Sequence, residues 1–300
     1  MSKGAHIVLP KSAIKSEAGI ILKTSVSVLF IIPWADKWIV GTTDTPYKAD
    51  RTNPVATKED VEYIIDQANR VLHPKIDAAD ILGVYAGLRP LVANAAGSTT
   101  TKLSREHTVD RPVPGFVSIA GGKYTTYRVM GKDVIDLAVN DLRRIVAESI
   151  TEKLPAIGAD GYFALVQQSA QLAQMSGLAE PTITHLLDRH GSLINEIFEI
   201  IDADKKMAEL LTPELAYIKA EIIYAVTHEG AQSVDDVLSR RTRIAFEASD
   251  GGESLASTVA TLIAPILGWD AAAKKAAISE FTNQLKNERA ALDKLLTRTR

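Results

Sequence analysis

The pattern that most constrains this chain is a change of periodicity near residue 150. Before it, short apolar runs of strand length alternate with helical segments. After Pro155 the apolar residues recur almost everywhere at the spacing of an amphipathic helix. Gly177, Gly191, Pro213, Gly230, Gly251, Gly252 and Pro265 punctuate that second half, separating helices predicted over 162–175, 182–190, 193–201, 215–228, 255–267 and 271–296. No fixed period repeats, which argues against a solenoid and for a compact all-helical domain over 151–300. The first 150 residues read as α+β. Strands are expected over 5–9 and 26–32, with Trp34-Ala35-Asp36-Lys37 turning the chain into a returning strand over 38–43. Thr57-Lys58-Glu59-Asp60 resembles a capping box with Asp in place of Glu. It opens a helix with the apolar face Val61, Ile64, Ile65, Ala68, Val71 and Leu72, which Pro74 ends. A further strand region covers 81–92, interrupted by Gly87 and Pro90.

Composition narrows the function classes. The 300 residues are 46% hydrophobic and 24% charged with a net charge of −3, which gives no general case for nucleic acid. With no cysteine, the chain has no disulfide, thiolate zinc site or cysteine nucleophile, and suits a reducing cytoplasm. The longest apolar stretch, over 28–32, is far below the ~20 residues of a spanning helix.

Chemistry concentrates at Ile119-Ala120-Gly121-Gly122-Lys123-Tyr124-Thr125-Thr126-Tyr127-Arg128. A strand over 116–120 stops at two glycines, and Met130, Val134, Leu137 and Ala138 then recur on one helical face. Glycines let backbone approach a ligand, and the first N–H groups of a helix lack intrahelical partners. Lys123 adds a full positive charge. Such a cradle suits a phosphate, or the N1–C2=O edge of a flavin, which becomes negative on reduction. The spacing is neither GxGxxG nor a Walker loop, and a plain chain turn is the competing reading.

Six motifs occur in order: Gly4-Ala5-His6-Ile7-Val8-Leu9-Pro10, Ile32-Pro33-Trp34, Gly41-Thr42-Thr43-Asp44, Gly87-Leu88-Arg89-Pro90-Leu91, Ser104-Arg105-Glu106-His107 and the Gly121-Gly122-Lys123 segment. Together they resemble the aerobic, FAD-dependent glycerol-3-phosphate dehydrogenases. Glu221-Ile222-Ile223-Tyr224-Ala225-Val226-Thr227-His228-Glu229, followed by Asp235-Asp236-Val237-Leu238-Ser239-Arg240-Arg241-Thr242-Arg243, is similar to that family's C-terminal domain. The family's N-terminal GxGxxG segment, which holds the FAD adenosine diphosphate, has no match here. The expectation is therefore a C-terminal portion: a mixed-sheet, substrate-binding and partial FAD-binding region over 1–150, then an all-α domain over 151–300.

The resemblance implies hydride transfer from C2 of sn-glycerol 3-phosphate to flavin N5, giving dihydroxyacetone phosphate, with electrons passed to a membrane quinone. It also implies peripheral attachment on the inner face of the membrane. Arg89 and Arg105 become the phosphate clamp, since a guanidinium offers paired donors that match phosphate oxygens. For an isolated arginine the competing reading is a structural salt bridge. His6, on the same strand face as Val8, becomes an acceptor for the C2 hydroxyl proton, against the plainer reading of a core or rim histidine. The base can equally lie in the missing segment. Lys123, with Gly121, Gly122, Thr125 and Thr126, faces the flavin; Thr43 and Asp44 line the same cleft or form a polar turn.

No metal site is expected: His185 and His190 are five apart, and no carboxylate pattern completes one. The basic run at 240–243 sits beside Asp235 and Asp236 and reads as an ion-paired helix end. The cations of the last helix are interleaved with Glu280, Glu288 and Asp293, so it reads as a surface helix. Two alternatives stand beside the dehydrogenase portion: a non-catalytic helical interaction module, and a related amino-acid oxidase. Two arginines for one anion argue against the oxidase. A sheet lacking its covering segment would expose apolar surface and drive homo-oligomerisation.

Overall fold

The structure is a computed structural model that describes residues 1–25, 27–49, 51–89, 106–142 and 145–297. Its organising strand is β1 (Ser2–Pro10), which is paired along both edges. On one edge runs β4 (Lys37–Gly41), with the short β5 (Thr45–Pro46) continuing that side at Ser2 and Lys3. On the other runs β6 (Gly83–Arg89). Outside β4 lie β3 (Val28–Trp34) and then β2 (Ile20–Lys23). The expected hairpin over 26–43 is present as β3 and β4, joined by Ala35 and Asp36; Val26 lies outside the described residues.

The expectation of a mixed sheet is corrected. Every pairing among the described residues is antiparallel. Short turns join β2, β3 and β4, and the one helical connection, between β5 and β6, returns the chain antiparallel to β1.

Strand alternation divides the sheet into two faces. Ala5, Ile7 and Leu9 of β1 are fully buried with Leu29, Ile31, Trp38 and Val40 beneath α1 (Lys58–Ala68). Val61, Ile64 and Ala68 of α1 are also fully buried, each large side chain contributing roughly 1.5–3 kcal/mol. The capping box forms as its sequence implies: the Asp60 backbone N–H donates to Thr57 Oγ1 at 3.3 Å, and the Thr57 N–H donates to the Asp60 carboxylate at 2.8 Å. The helix stops at Ala68, before Pro74, because the Asn69 side chain caps the following loop through both backbone groups of Ile76. Val71 therefore lies past the helix and is exposed.

Residues 107–139 form a second unit. The strand β7 (His107–Val113), absent from the sequence reading, pairs with β8 (Phe116–Gly121) and packs against α2 (Tyr127–Val139). Nothing on α2 is fully buried; Met130, Val134, Leu137 and Ala138 are only half-covered. Tyr127, Val129 and Ile135 are exposed, as are Val113 and Phe116 on the hairpin and Ile21 and Ile32 on the outer face of the large sheet.

The second half is helical as predicted, with α3 (Tyr162–Gln167), α4 (Ser169–Ser176), α5 (Glu180–His190), α6 (Ile194–Ala203), α7 (Lys219–Thr227), α8 (Ile244–Glu247), α9 (Ala256–Leu267) and α10 (Ala271–Leu296). The expected helix over 162–175 breaks at Gln168, and the one over 215–228 starts later because Leu210 and Ile218 form a β-bridge. Phe281 and Leu285 of α10 sit in the helical core, whereas Ala291 and Leu292 enter the core beneath the large sheet.

Glu221 on α7 ties this half together. Its buried carboxylate accepts from His185 Nε2 at 3.0 Å, His190 Nε2 at 3.5 Å and the Ile218 N–H at 2.9 Å, with Arg189 Nε 3.6 Å away. The two histidines read as unsuited to one metal thus converge on one carboxylate instead. Burial alone would raise the Glu221 carboxyl, but the hydrogen bonds from His185 and His190 hold it down at about 2. Because this value is depressed, the stability it gives is present above the unfolded carboxyl value of about 4.3 and is lost as pH falls towards 2. Helical circular dichroism melts of the wild type should show a loss of about 3 kcal/mol across that window. Glu221→Gln should start less stable at pH 7 and lose distinctly less on acidification; parallel pH profiles would refute the assignment.

The uncovered apolar surface around α2 carries its own expectation. The 300-residue chain should self-associate in sedimentation velocity, and a concentration-independent monomer would count against it.

Candidate active site

His6 lies at the middle of the large sheet, on the face opposite α1. The register places it beside Gly41 on one side and Tyr85 on the other, with Phe30 beyond Gly41. Its imidazole stacks on the Tyr85 ring, centroids 5.0 Å apart and planes within 9°. A Cβ at Gly41 would stand 2.4 Å from His6 Cδ2, so glycine there makes the space the ring occupies. His6 Nδ1 is buried without a hydrogen-bond partner. Burial, and secondarily the charge of Arg89, lowers the imidazole from its usual 6.5 to about 4, so at neutral pH it is uncharged and retains an acceptor lone pair.

Arg89 ends β6 within the same region. Its guanidinium donates to Ser2 Oγ (3.0 Å), Thr42 Oγ1 (3.1 Å) and the Thr43 carbonyl (2.9 Å), and pairs with Asp44 Oδ1 at 3.4 Å. Ser2 Oγ also donates to Asp44. Gly4 leaves room for this cluster, since a Cβ there would meet Thr42 Oγ1 at 2.5 Å and Arg89 Nη2 at 2.8 Å. The structural ion pair weighed for Arg89 is therefore present, and an arriving anion must compete with the Asp44 carboxylate. Thr43 is buried and accepts the Ala5 N–H at 2.9 Å. With Asp44 it also lines a cavity of 440 Å³ edged by Lys3, Pro46, Thr57 and Tyr63. There Lys3 and Asp60 form a buried ion pair of 2.5 Å.

The structure thus brings Arg89 and Asp44 together on the sheet face that carries His6, whereas Thr43 offers Arg89 only its carbonyl and turns its side chain to Ala5 and the cavity beside α1. Arg105 falls outside the described residues. Gly121, Gly122, Lys123, Thr125 and Thr126 lie on the β7–β8–α2 unit instead. Both glycines have φ of +79°, a left-handed conformation favouring glycine, and a Cβ on Gly122 would stand 2.4 Å from Met130 Sδ. Lys123, Thr125 and Thr126 are exposed around a single 3₁₀ turn, Tyr124–Thr126, that precedes α2. His107 pairs with Asp133 on α2 at 2.8 Å. The sequence reading missed Tyr85. Alternation within β6 sets it on one face with Gly83 and Gly87, yet only the register with β1 reveals that this face meets His6.

Comparison with known proteins gives four concordant matches. Residues 149–274 match the C-terminal domain of alpha-glycerophosphate oxidase. The glycerol-3-phosphate dehydrogenase 2 of Mycobacterium tuberculosis is 49% identical over 271 residues, covering 90% of this chain and 46% of that protein. A probable mitochondrial glycerol-3-phosphate dehydrogenase of Dictyostelium discoideum is 31% identical, covering 95% and 46%. The chain spans about half the length of the curated relatives it matches. In fold it is similar to the solved glycerol-3-phosphate dehydrogenase of Bacillus halodurans, complexed with FAD, with a TM-score of 0.79 at 24% identity over 95% of this chain and 56% of that one.

The His6 environment is measurable by residue-specific NMR titration. The imidazole should titrate near pH 4, and Arg89→Gln should raise its midpoint without restoring 6.5, because burial is the larger cause. A wild-type midpoint near 6.5, or no response to the substitution, would contradict this electrostatic picture.

Proposed function

Because the chain is homologous over 90% of its length to glycerol-3-phosphate dehydrogenases, we propose that it is the substrate-binding and flavin-capping portion of an FAD-dependent enzyme that oxidises sn-glycerol 3-phosphate to dihydroxyacetone phosphate. The observation that carries this reading is the pairing of a neutral, under-bonded imidazole with an arginine clamp on one sheet face. We assign residues 1–150 to substrate and partial FAD binding and 151–300 to a helical cap. The adenosine diphosphate of FAD falls to a GxGxxG segment outside these 300 residues. The uncovered apolar side of α2 supports such a partner segment.

The residues present fit a flavin. The Gly121-Gly122 turn brings a left-handed backbone past Met130 where a side chain would not fit, and Lys123, Thr125 and Thr126 stand exposed on the 3₁₀ turn that leads into α2. Gly121, Gly122, Lys123, Thr125 and Thr126 would hold the ring edge where charge develops. When bound, FAD supplies the hydride acceptor. Arg89, with Arg105, holds the substrate phosphate, displacing part of the bond to Asp44. The imidazole of His6 accepts the C2 hydroxyl proton. Phosphate on Arg89 cancels part of the positive field that lowers His6, so substrate binding itself makes the imidazole a stronger base. Quinone is the onward acceptor, reached by peripheral attachment to the membrane. Among the described residues no helix is long and apolar enough to cross a membrane.

The test joins the chain to the N-terminal FAD-binding segment of a relative, loads FAD and adds glycerol 3-phosphate without oxygen. Flavin bleaching is expected, and Arg89→Gln should raise KM for the substrate at least ~10-fold. A loaded, folded protein that does not bleach would overturn the reading. Bleaching by the 300-residue chain alone would instead overturn only its incompleteness.

A further inference from the structure

Where the sheet meets the helical half, a cavity of 410 Å³ takes its walls from both. Trp34, Ile39 and Tyr85 form the sheet side, and Arg189, Arg243 and Phe246 face them. The charges there are incompletely matched. The Arg243 guanidinium lies over the Trp34 indole, 4.7 Å from its centroid, which positions the planar group while leaving its N–H edges free for an acceptor. Its backbone N–H donates to the Tyr217 hydroxyl at 3.0 Å, which anchors the chain at that point. Among the described residues no carboxylate makes an ion pair with Arg243.

Arg189 stacks on Tyr217 and donates to the Arg241 carbonyl, but its Nε is buried with no hydrogen-bond partner. Glu221, 3.6 Å from that nitrogen, already serves the histidines. The third cation at the wall, Arg240, is neutralised by Asp235 and Asp236 at 2.5 and 3.1 Å. Of the carboxyls nearby, Asp188 accepts from the Tyr162 hydroxyl. Burial raises the Glu247 carboxyl above its usual range in spite of Lys37 and Arg243, which weakens it as a counter-ion. Two guanidiniums stand at one cavity, Arg243 with no committed carboxylate and Arg189 sharing the Glu221 carboxylate with two histidines, which leaves a positive excess suited to an anion with several acceptor oxygens.

We propose that this cavity is a second anion site, separate from the Arg89 clamp, which takes a small phosphate-bearing molecule between Arg243 and Arg189. Its volume falls in the range of small-molecule pockets. One wall is Tyr85, whose ring stacks on His6 and meets Phe246 edge-on at 5.2 Å, so an occupant lies one aromatic ring from the proton acceptor. Both walls belong to this chain, and the proposal does not depend on the flavin reading.

Isothermal titration calorimetry of the 300-residue chain with inorganic pyrophosphate, in the absence of flavin, tests it. Saturable binding at one site per chain is expected. Arg243→Gln should weaken it at least ~10-fold, and Arg243→Lys, which keeps the charge but loses the planar fork, should also weaken it. Arg89→Gln should leave it within about twofold, since that residue belongs to the other site. Helical circular dichroism melts establish that the variants fold, and the lysine variant carries the test should the glutamine variant fail. Loss of binding in Arg89→Gln with retention in Arg243→Gln would place the anion at the clamp and overturn the proposal. So would the absence of saturable binding, or equal affinity in both Arg243 variants and the wild type.

Discussion

The constraint on which the site depends is that β1 is hydrogen-bonded on both edges. A strand with one free edge can slip by a residue and turn its side chains over, but β1 is fixed by β4 on one side and β6 on the other. That double pairing places Ile7 and Leu9 under α1 and leaves His6 on the opposite face. It also fixes the row Phe30, Gly41, His6, Tyr85 across four strands. The ring stack, the cleared space at Gly41 and the neutral imidazole all follow from that row.

Electrostatics then tune what topology has placed. Arg89 is held by Asp44, Ser2, Thr42 and Thr43, and so arrives oriented at the cost of being partly occupied. As the phosphate clamp proposed above, Arg89 would exchange its internal counter-ion for the substrate anion, and it avoids standing as a charge without a partner. Glu221 plays the corresponding role in the helical half, where one carboxylate gathers groups from the end of α5.

Much of this was legible in the sequence where local chemistry decides the outcome. The Thr57 capping box, the turn between β3 and β4, the last helix and the glycine pair before Lys123 all rest on residue-level preferences that tertiary context did not override. The strand β7 was not legible, because its run contains Asp110, Arg111 and Pro112 and lacks a clean alternation. Nor was the sheet's antiparallel character, which resides in the connections between strands more than in the strands themselves. Tyr85 was missed, and the ion-paired helix end read over 240–243 holds for Arg240 but not for Arg243, for a related reason. Each matters through a partner distant in sequence, His6 for one and Trp34 for the other, and no spacing rule encodes that meeting.

The last helix has a consequence for how the molecule yields under stress. Phe281 and Leu285 of α10 are packed in the helical core, and Ala291 and Leu292 in the core beneath the large sheet. One helix of 26 residues is thus anchored at its middle and at its C-terminal end in different hydrophobic cores. Fraying from the C-terminus would withdraw its final turns first and loosen the packing under β1, nearly three hundred residues away along the chain. The first strand and the last helix therefore share a mechanical fate, although the sequence sets them at opposite ends.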